Sequence, residues 1–517
     1  MKKNFLFIFV LIFLTSCSSS SVQKYNERLR TPVSSDKLRQ DVDFVRKNLE
    51  AYHPQLYLYI SKETLDRKFD SLKFAISEKE TPIAFFKQFQ PIISEIREGH
   101  LKLRYPSPRY TAKEMKYLLN QKGLLARLNY AVRGDSLLVI SNKDSLGGIL
   151  PGSRILTVHN QPVDSLLGRY STYFSGDGFN TTFRKYVLAG WWPMYFTYDN
   201  GILDSVRMRV KDSVKVKEVM LYREKTNKSD KEQQKLEQKK MQKSDSLRIR
   251  DYNQAARAFN REFKFINNDS TIAYMKIKSF SGVRSSNFYK NSFLKLARQE
   301  TPYLIIDIRD NLGGSLSEIK ELYSYLAKDT FNFIKPVEIT HSKALLKADF
   351  LSYFHGVTKI VGILSYPVYY LASSRAKKSE NGRFYLKNKN YEQLKPKQDS
   401  YRGKLYVLIN GSSFSAASIL ASKIKGDSRG ILVGEETGGA NDGTVAGRYR
   451  TLTLPHSKLV LPIGMMYIQP DISFSHTQRG VVPDKEILPS LKDMISDKDV
   501  QLDWVLEEIK KMDKASH

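Results

Sequence analysis

From Thr271 onward, short apolar runs alternate with amphipathic stretches, and no other feature of the chain limits its fold so strongly. Ile272–Ile277 and Tyr303–Ile308 read as strands, Glu318–Leu326 as a helix, Tyr406–Ile409 as a buried strand, Ala416–Ile424 as a helix and Ile431–Val433 as a strand. Strands alternating with helices predict a layered α/β core. The core is expected over residues 263–495. An insertion rich in Tyr and Lys is expected beside the cleft at 335–400, and a carboxy-terminal helix at 496–517.

Upstream, the periodicity changes. Val42, Val45 and Leu49 lie at helical spacing after Ser34, and His53-Pro54 ends the run, because a residue before proline avoids the helical region. Ser61 is placed to cap a second helix carrying Leu65, Phe69, Leu72 and Ile76. Thr81-Pro82 opens a third, with Phe85, Phe89, Ile92, Ile93 and Ile96 facing inward and Gly99 as its stop. His100 follows, and Leu101 and Leu103 alternate with Lys102 and Arg104 as in a short strand. A helical domain is therefore expected over 33–112. Residues 113–212 read as small strands and turns, with Leu137–Ile140 as one strand. The stretch 213–262 is rich in Lys, Gln, Glu and Ser and reads as a charged insertion that cannot bury a core.

Lys2 and Lys3 precede an apolar run, Phe5–Leu14, that falls well short of the roughly 20 residues a spanning helix needs. Residues 1–16 read as a secretory signal peptide. Leu14-Thr15-Ser16-Cys17 resembles the bacterial lipobox. That resemblance implies lipid attached to Cys17, a leash over 17–32, and a protein tethered to a membrane in the bacterial envelope, at the periplasmic face of the outer membrane. Cys17 is the only cysteine, so no internal disulfide can form. The net charge of +29 suits an anionic membrane surface. No nucleic-acid motif accompanies it, and nucleic acid is not an expected partner.

Three separated segments carry the chemistry. Asp307-Ile308-Arg309-Asp310-Asn311-Leu312-Gly313-Gly314 takes a strand into a paired-glycine turn whose N–H groups can face a bound group. Asn410-Gly411-Ser412-Ser413-Phe414-Ser415-Ala416-Ala417 places serines between a strand and a helix, where free N–H groups favour developing negative charge. Read alone, that segment could equally be a helix cap. Gly434-Glu435-Glu436-Thr437-Gly438-Gly439 follows the next strand, and Gly480-Val481-Val482-Pro483-Asp484 lies near the end.

Together these segments resemble the serine peptidases that include carboxyl-terminal processing peptidases, tricorn core proteases and interphotoreceptor retinoid-binding protein. The resemblance implies a ClpP/crotonase-like α/β core behind a helical amino-terminal domain and a PDZ-like β domain. Gly148 to Val163 is similar to a PDZ signature segment, and Gly123-Leu124-Leu125 is the candidate for its carboxylate-binding loop. Matching the serine motif position by position puts the nucleophile at Ser415. The N–H of Ala416 would form one arm of the oxyanion hole, and Gly313 or Gly314 the other, with Gly313 favoured. Processing peptidases use a lysine base after the Gly-Glu strand end, but Gly439-Ala440-Asn441-Asp442-Gly443 contains none. Tricorn-like members use a histidine from the amino-terminal region, and Glu98-Gly99-His100-Leu101 matches that site with His100. Two elements of the pattern are missing: the serine before that histidine is Gly99 here, and no glutamate is evident near Thr477–Gly480. His456 is the reserve base, and His53 reads as a packing residue.

The activity implied is endopeptidase cleavage of unfolded or tail segments of polypeptides through an acyl-enzyme. The alternative is a non-catalytic lipoprotein binding peptide or lipid on the same fold. No HExxH or cysteine cluster suggests a metal, and no cofactor is called for.

Overall fold

A computed structural model describes residues 19–515 apart from 143, 227–251, 254–257, 283–284, 354–357, 374–375, 387–392 and 474–476. Cys17 and most of the charged insertion lie outside the described residues.

The carboxy-terminal half is built on a sheet of six strands in the order Arg261–Phe265, Ile272–Ile277, Tyr303–Asp307, Lys404–Ile409, Ile431–Gly434, Lys485–Glu486. The first pair is antiparallel and the rest run parallel. Nearly every residue of Lys404–Ile409 is buried, as in a strand covered on both faces. Helices Ser285–Arg298, Leu316–Leu326 and Ala416–Gly426 pack one face around Phe293, Leu322 and Leu420. Helix Val500–Ala515 covers the other face with Val505 and Ile509. The expected alternation thus holds, with no boundary displaced by more than two residues.

A second sheet stands beside it. Long strands Thr444–Thr453 and Val460–Ile468 form its hairpin, and Glu338–Ile339, Phe384–Leu386 and Ala376–Lys378 add on from the 335–400 stretch. That stretch also contains helix Thr358–Ser373.

The amino-terminal helices run over Ser35–Tyr52, Lys62–Ala75 and Pro82–Ser94. Ser61 and Thr81 cap the second and third by accepting from the N–H groups of Thr64 and Ala84. The third helix ends at Ser94, five positions before the glycine expected to stop it; Arg97, at φ 60°, breaks the chain direction instead. Leu101 and Leu103 are buried but form no strand, and only Arg104 bridges to Val460.

Residues 113–212 depart from the expectation of strands and turns. A sheet ordered Asn129–Arg133, Ser136–Ser141, Arg154–Val158, Ser205–Lys211, Val216–Tyr222 is present, with Gln161–Pro162 closing a hairpin through His159 and Asn160, both at positive φ. Helices Val163–Ser171 and Thr182–Asn200 lie against it. The second is rich in aromatic residues and contains Gly190 and Pro193, so local propensity argues against it. Burial of Phe183, Val187, Trp192, Tyr195 and Phe196 decides the matter. One continuous core joins this sheet to the amino-terminal helices and to Phe414, Leu452 and Leu461.

Candidate active site

Ser415 ends the loop after Lys404–Ile409 and stands before helix Ala416–Gly426. Its backbone is held at φ 53°, ψ −118°, a conformation costly for a residue with a Cβ. It makes no capping hydrogen bond to the helix. Its Oγ lies 2.9 Å from His100 Nε2. A side chain from the first fifth of the chain thus meets one encoded 315 positions later.

Two asparagines fix the loops. Asn410 Oδ1 accepts from the N–H groups of Asp310 and Ser412, while its Nδ2 donates to Asp310 Oδ1. Asn311 Nδ2 donates to the Ile277 carbonyl, and the Asn311 carbonyl accepts from the Phe414 N–H. Ser413 Oγ donates to the Ile308 carbonyl, leaving Ser415 as the serine that faces the imidazole.

Gly313 sits at φ 103°, and a Cβ there would fall 2.8 Å from Ser415 Cβ and 2.9 Å from Ala416 N. Only glycine permits that approach. Its N–H, however, donates to Asn311 Oδ1 at 2.8 Å. The Gly314 N–H has no such partner, since the Phe280 bridge uses the Gly313 carbonyl and the Ser315 N–H. Gly313 therefore supplies the space beside Ser415, while its own N–H is committed to Asn311.

The Gly434–Gly439 segment supports the serine loop. The Gly438 N–H donates to the Ser413 carbonyl, and Ser418 Oγ bridges that carbonyl to the Gly439 N–H. Glu436 in turn receives the Gly480 N–H and the Arg479 guanidinium, and Thr437 Oγ1 accepts from the Val481 N–H. The two glycine-bearing motifs thus clamp each other behind the serine.

His100 packs against Phe414 and Tyr449, with ring centroids 5.2 and 6.4 Å away. Burial, with Lys102 nearby, pushes its pKa down to about 4, so the ring is neutral at pH 7. Sequence reading missed two carboxyls beside it. Asp177 Oδ1 accepts from the Gly99 N–H at 2.7 Å, and Glu98 Oε2 accepts from the Val445 N–H at 3.3 Å. Both are buried, and burial raises both pKa values, the Asp177 charge raising Glu98 further. Asp177 thereby holds the peptide directly before His100. A Gly-Asp-Gly stretch reads as a turn, and nothing local announces this contact. Gly99 has no room for a side chain: a Cβ would lie 2.4 Å from Phe414 Cζ. A serine there, as in the tricorn pattern, would have to displace the Phe414 ring.

His456 is committed elsewhere, its N–H donating to Asp41 and its Nε2 pairing with Gln40 Oε1. His53 is buried, as expected of a packing residue.

A neutral imidazole in hydrogen-bond reach of a strained serine hydroxyl can take its proton as the oxygen attacks a carbonyl carbon. Free N–H groups beside that oxygen can receive the charge that develops. Parallel-sheet core and serine–imidazole pair together define a serine hydrolase class of site. Residues 271–487 match the family model of peptidase family S41. Over that stretch, which carries Ser415, the chain is of the peptidase family S41 type, and the site is that of a serine peptidase. Its fold is similar to that of mature CPAF, with TM-score 0.58 and 14% identity over 90% of this chain and 95% of that one. Mature CPAF complexed with lactacystin matches with TM-score 0.57 and 13% identity over 92% and 98%. The photosystem II D1 C-terminal processing protease matches at TM-score 0.40 and 13% identity over 89% and 96%. No curated protein matches the sequence.

Proposed function

We propose that Ser415 is the nucleophile and His100 the general base of an endopeptidase that cleaves unfolded or tail segments of polypeptides. The observation that carries this is the 2.9 Å contact between Ser415 Oγ and His100 Nε2. Oγ attacks the scissile carbonyl carbon, and its proton passes to Nε2. The tetrahedral oxyanion is met by the N–H groups of Ala416 and Gly314, each such donor being worth about 3 to 4 kcal/mol. The proton is then given to the leaving amine, and water hydrolyses the acyl-enzyme by the same path in reverse.

A cleft of about 790 Å³ favours an extended peptide as substrate. Gly123, Leu124 and Leu125 line one part of it, helix residues Tyr186, Pro193 and Met194 another, and Asp310 and Ser412 a third. On this reading residues 113–212 act as a PDZ-like module that holds a chain end by adding it as a strand. We further propose that the mature chain is anchored through lipid on Cys17 in the bacterial envelope, as its lipobox-like segment implies.

Ser415→Ala is expected to abolish both peptide hydrolysis and labelling by a fluorophosphonate probe while the circular dichroism spectrum stays unchanged. Undiminished cleavage by that variant would sink the assignment.

A further inference from the structure

Helix Thr358–Ser373 is built inside out. Gly362 and Tyr369 are buried against the protein, and Ser365, on the same face, donates to the Gly362 carbonyl. Ile360, Val361, Ile363, Leu364 and Val368 point away and are 60–75% exposed. A helix in a globular protein normally does the opposite. At 100° per residue, the outward apolar arc covers roughly 160° of the circumference, against about 100° for a helix that buries one stripe on a core. Such a width suits a helix sunk to its axis in a medium, not one docked along a seam.

The helix is held firmly on its small face. Tyr369 stacks on Phe350 at 4.1 Å, its hydroxyl donates to the Leu345 carbonyl, and the Arg448 guanidinium lies over its ring at 5.5 Å. Tyr366 lies at the rim of the apolar arc, where a ring with one polar end fits a boundary between water and oil. The surroundings are basic. Lys343, Lys347, Lys359, Lys377 and Lys378 are all exposed, against exposed Glu380 and against Asp349, which is tied to the Thr451 N–H. At 16 residues the helix is too short to span a bilayer, and no described helix is long and apolar enough to cross one.

We propose that Thr358–Ser373 is a bilayer-docking helix that lies in the interface of an anionic membrane. The five apolar side chains enter the acyl region, and the surrounding lysines meet the headgroups. Width of the apolar arc and sign of the flanking charge favour lipid over a second copy of the chain, whose own +29 would oppose approach. The platform beneath the helix includes the strand Thr444–Thr453, whose Tyr449 borders His100 and whose carbonyl accepts from the Asp349 N–H. Docking therefore sets the catalytic cleft beside the lipid surface and favours polypeptide segments that emerge close to the membrane. The docking itself stands on this helix alone and does not need the Cys17 anchor, whereas its consequence for substrate rests on the proposed site at Ser415.

The test uses the full-length chain with Cys17→Ser, so that an introduced thiol is the only one. Leu364→Cys, Ile360→Cys and, as a control on an exposed hairpin tip, Val214→Cys each carry a polarity-sensitive fluorophore. Vesicles contain tail-brominated phosphatidylethanolamine and phosphatidylglycerol, or brominated phosphatidylcholine alone. Insertion predicts that about half or more of the emission is lost at 364 and 360 on the anionic vesicles, little at 214, and clearly less on the neutral ones. Equal emission at all three positions overturns the proposal, as does equal quenching on neutral lipid. A concentration-dependent blue shift at 364 without vesicles would overturn it in favour of self-association.

Discussion

Gly99 shows how one missing side chain can set the geometry of a base. Its Cβ-free backbone lies against Phe414, the residue before Ser415, which also stacks on Phe183 with centroids 4.4 Å apart. Gly99→Ser is expected to push that ring out of place, at a cost of about 1 to 3 kcal/mol, and to lower kcat more than KM changes. Adding Phe414→Leu should restore part of both, and a double-mutant cycle of melting temperature and kcat measures the coupling. Strict additivity would show that the two do not share the space. The pH profile is argued at the same scale. His100 is an effective base only while neutral, and burial together with Lys102 depresses its pKa to about 4. The acid limb of kcat/KM is therefore expected below about pH 5 rather than near the ordinary histidine value. Lys102→Gln removes the smaller of the two causes, so the limb should move upward by less than about one pH unit. A wild-type limb at pH 6 to 7 would contradict the burial of His100 in the working enzyme.

At the scale of elements, the strand bearing the glycine turn is fastened to the last helix by charge. Arg309 donates to both Asp307 oxygens, to both Asp499 oxygens and to Gln501 Oε1. Burial would raise the Asp307 pKa, but the Arg309 hydrogen bonds and the charges of Lys276 and Arg309 override it and hold it at about 2. A carboxylate depressed in the folded state contributes stability that is present above its ordinary range and lost as pH falls toward 2. Arg309→Met leaves Asp307 buried with Lys276 as its remaining cation, and is expected to cost about 3 kcal/mol. The urea midpoint at pH 7, followed down to pH 3, measures both the loss and the flatter acid dependence expected of the variant. Which elements the sequence revealed follows from the same physics. Caps at Ser61 and Thr81 and the continuous apolar run before Asn410 are local signals, and each marked its element. Thr182–Asn200 carries aromatic residues, Gly190 and Pro193, and becomes a helix only because tertiary burial outweighs propensity. That the Ser415 and His100 side chains meet was legible through motif order. The partner of the Gly99 N–H was not, because Asp177 lies 78 positions away in a stretch that reads as a turn. Nor was the bond from the Gly313 N–H to the Asn311 side chain, which no local signal announces.

For the whole molecule, catalysis requires that the amino-terminal helices stay seated on the hairpin of the second sheet, because they deliver His100. Two of the contacts that seat them lie at the returning strand and the turn of that hairpin. The Arg104 N–H donates to the Val460 carbonyl at the hairpin's returning strand. Asp41, fully buried in helix Ser35–Tyr52, accepts from the N–H of His456 at 2.9 Å and of Ser457 at 2.7 Å, satisfying the turn between the two long strands. Removing that carboxylate leaves two N–H groups without an acceptor at the junction of the two halves, each costing about 1 to 3 kcal/mol when buried. Asp41→Ala is therefore expected to lower the melting temperature. Below that temperature it should also slow fluorophosphonate labelling of Ser415, since a loosened seat moves the imidazole away from Oγ. Asp41→Asn keeps one oxygen able to accept and should recover part of both losses, whereas a change in KM alone is not expected. If the alanine variant melts and labels like the wild type, the helices are held by apolar packing alone, and the Asp41 clamp does not govern the approach of His100 to Ser415.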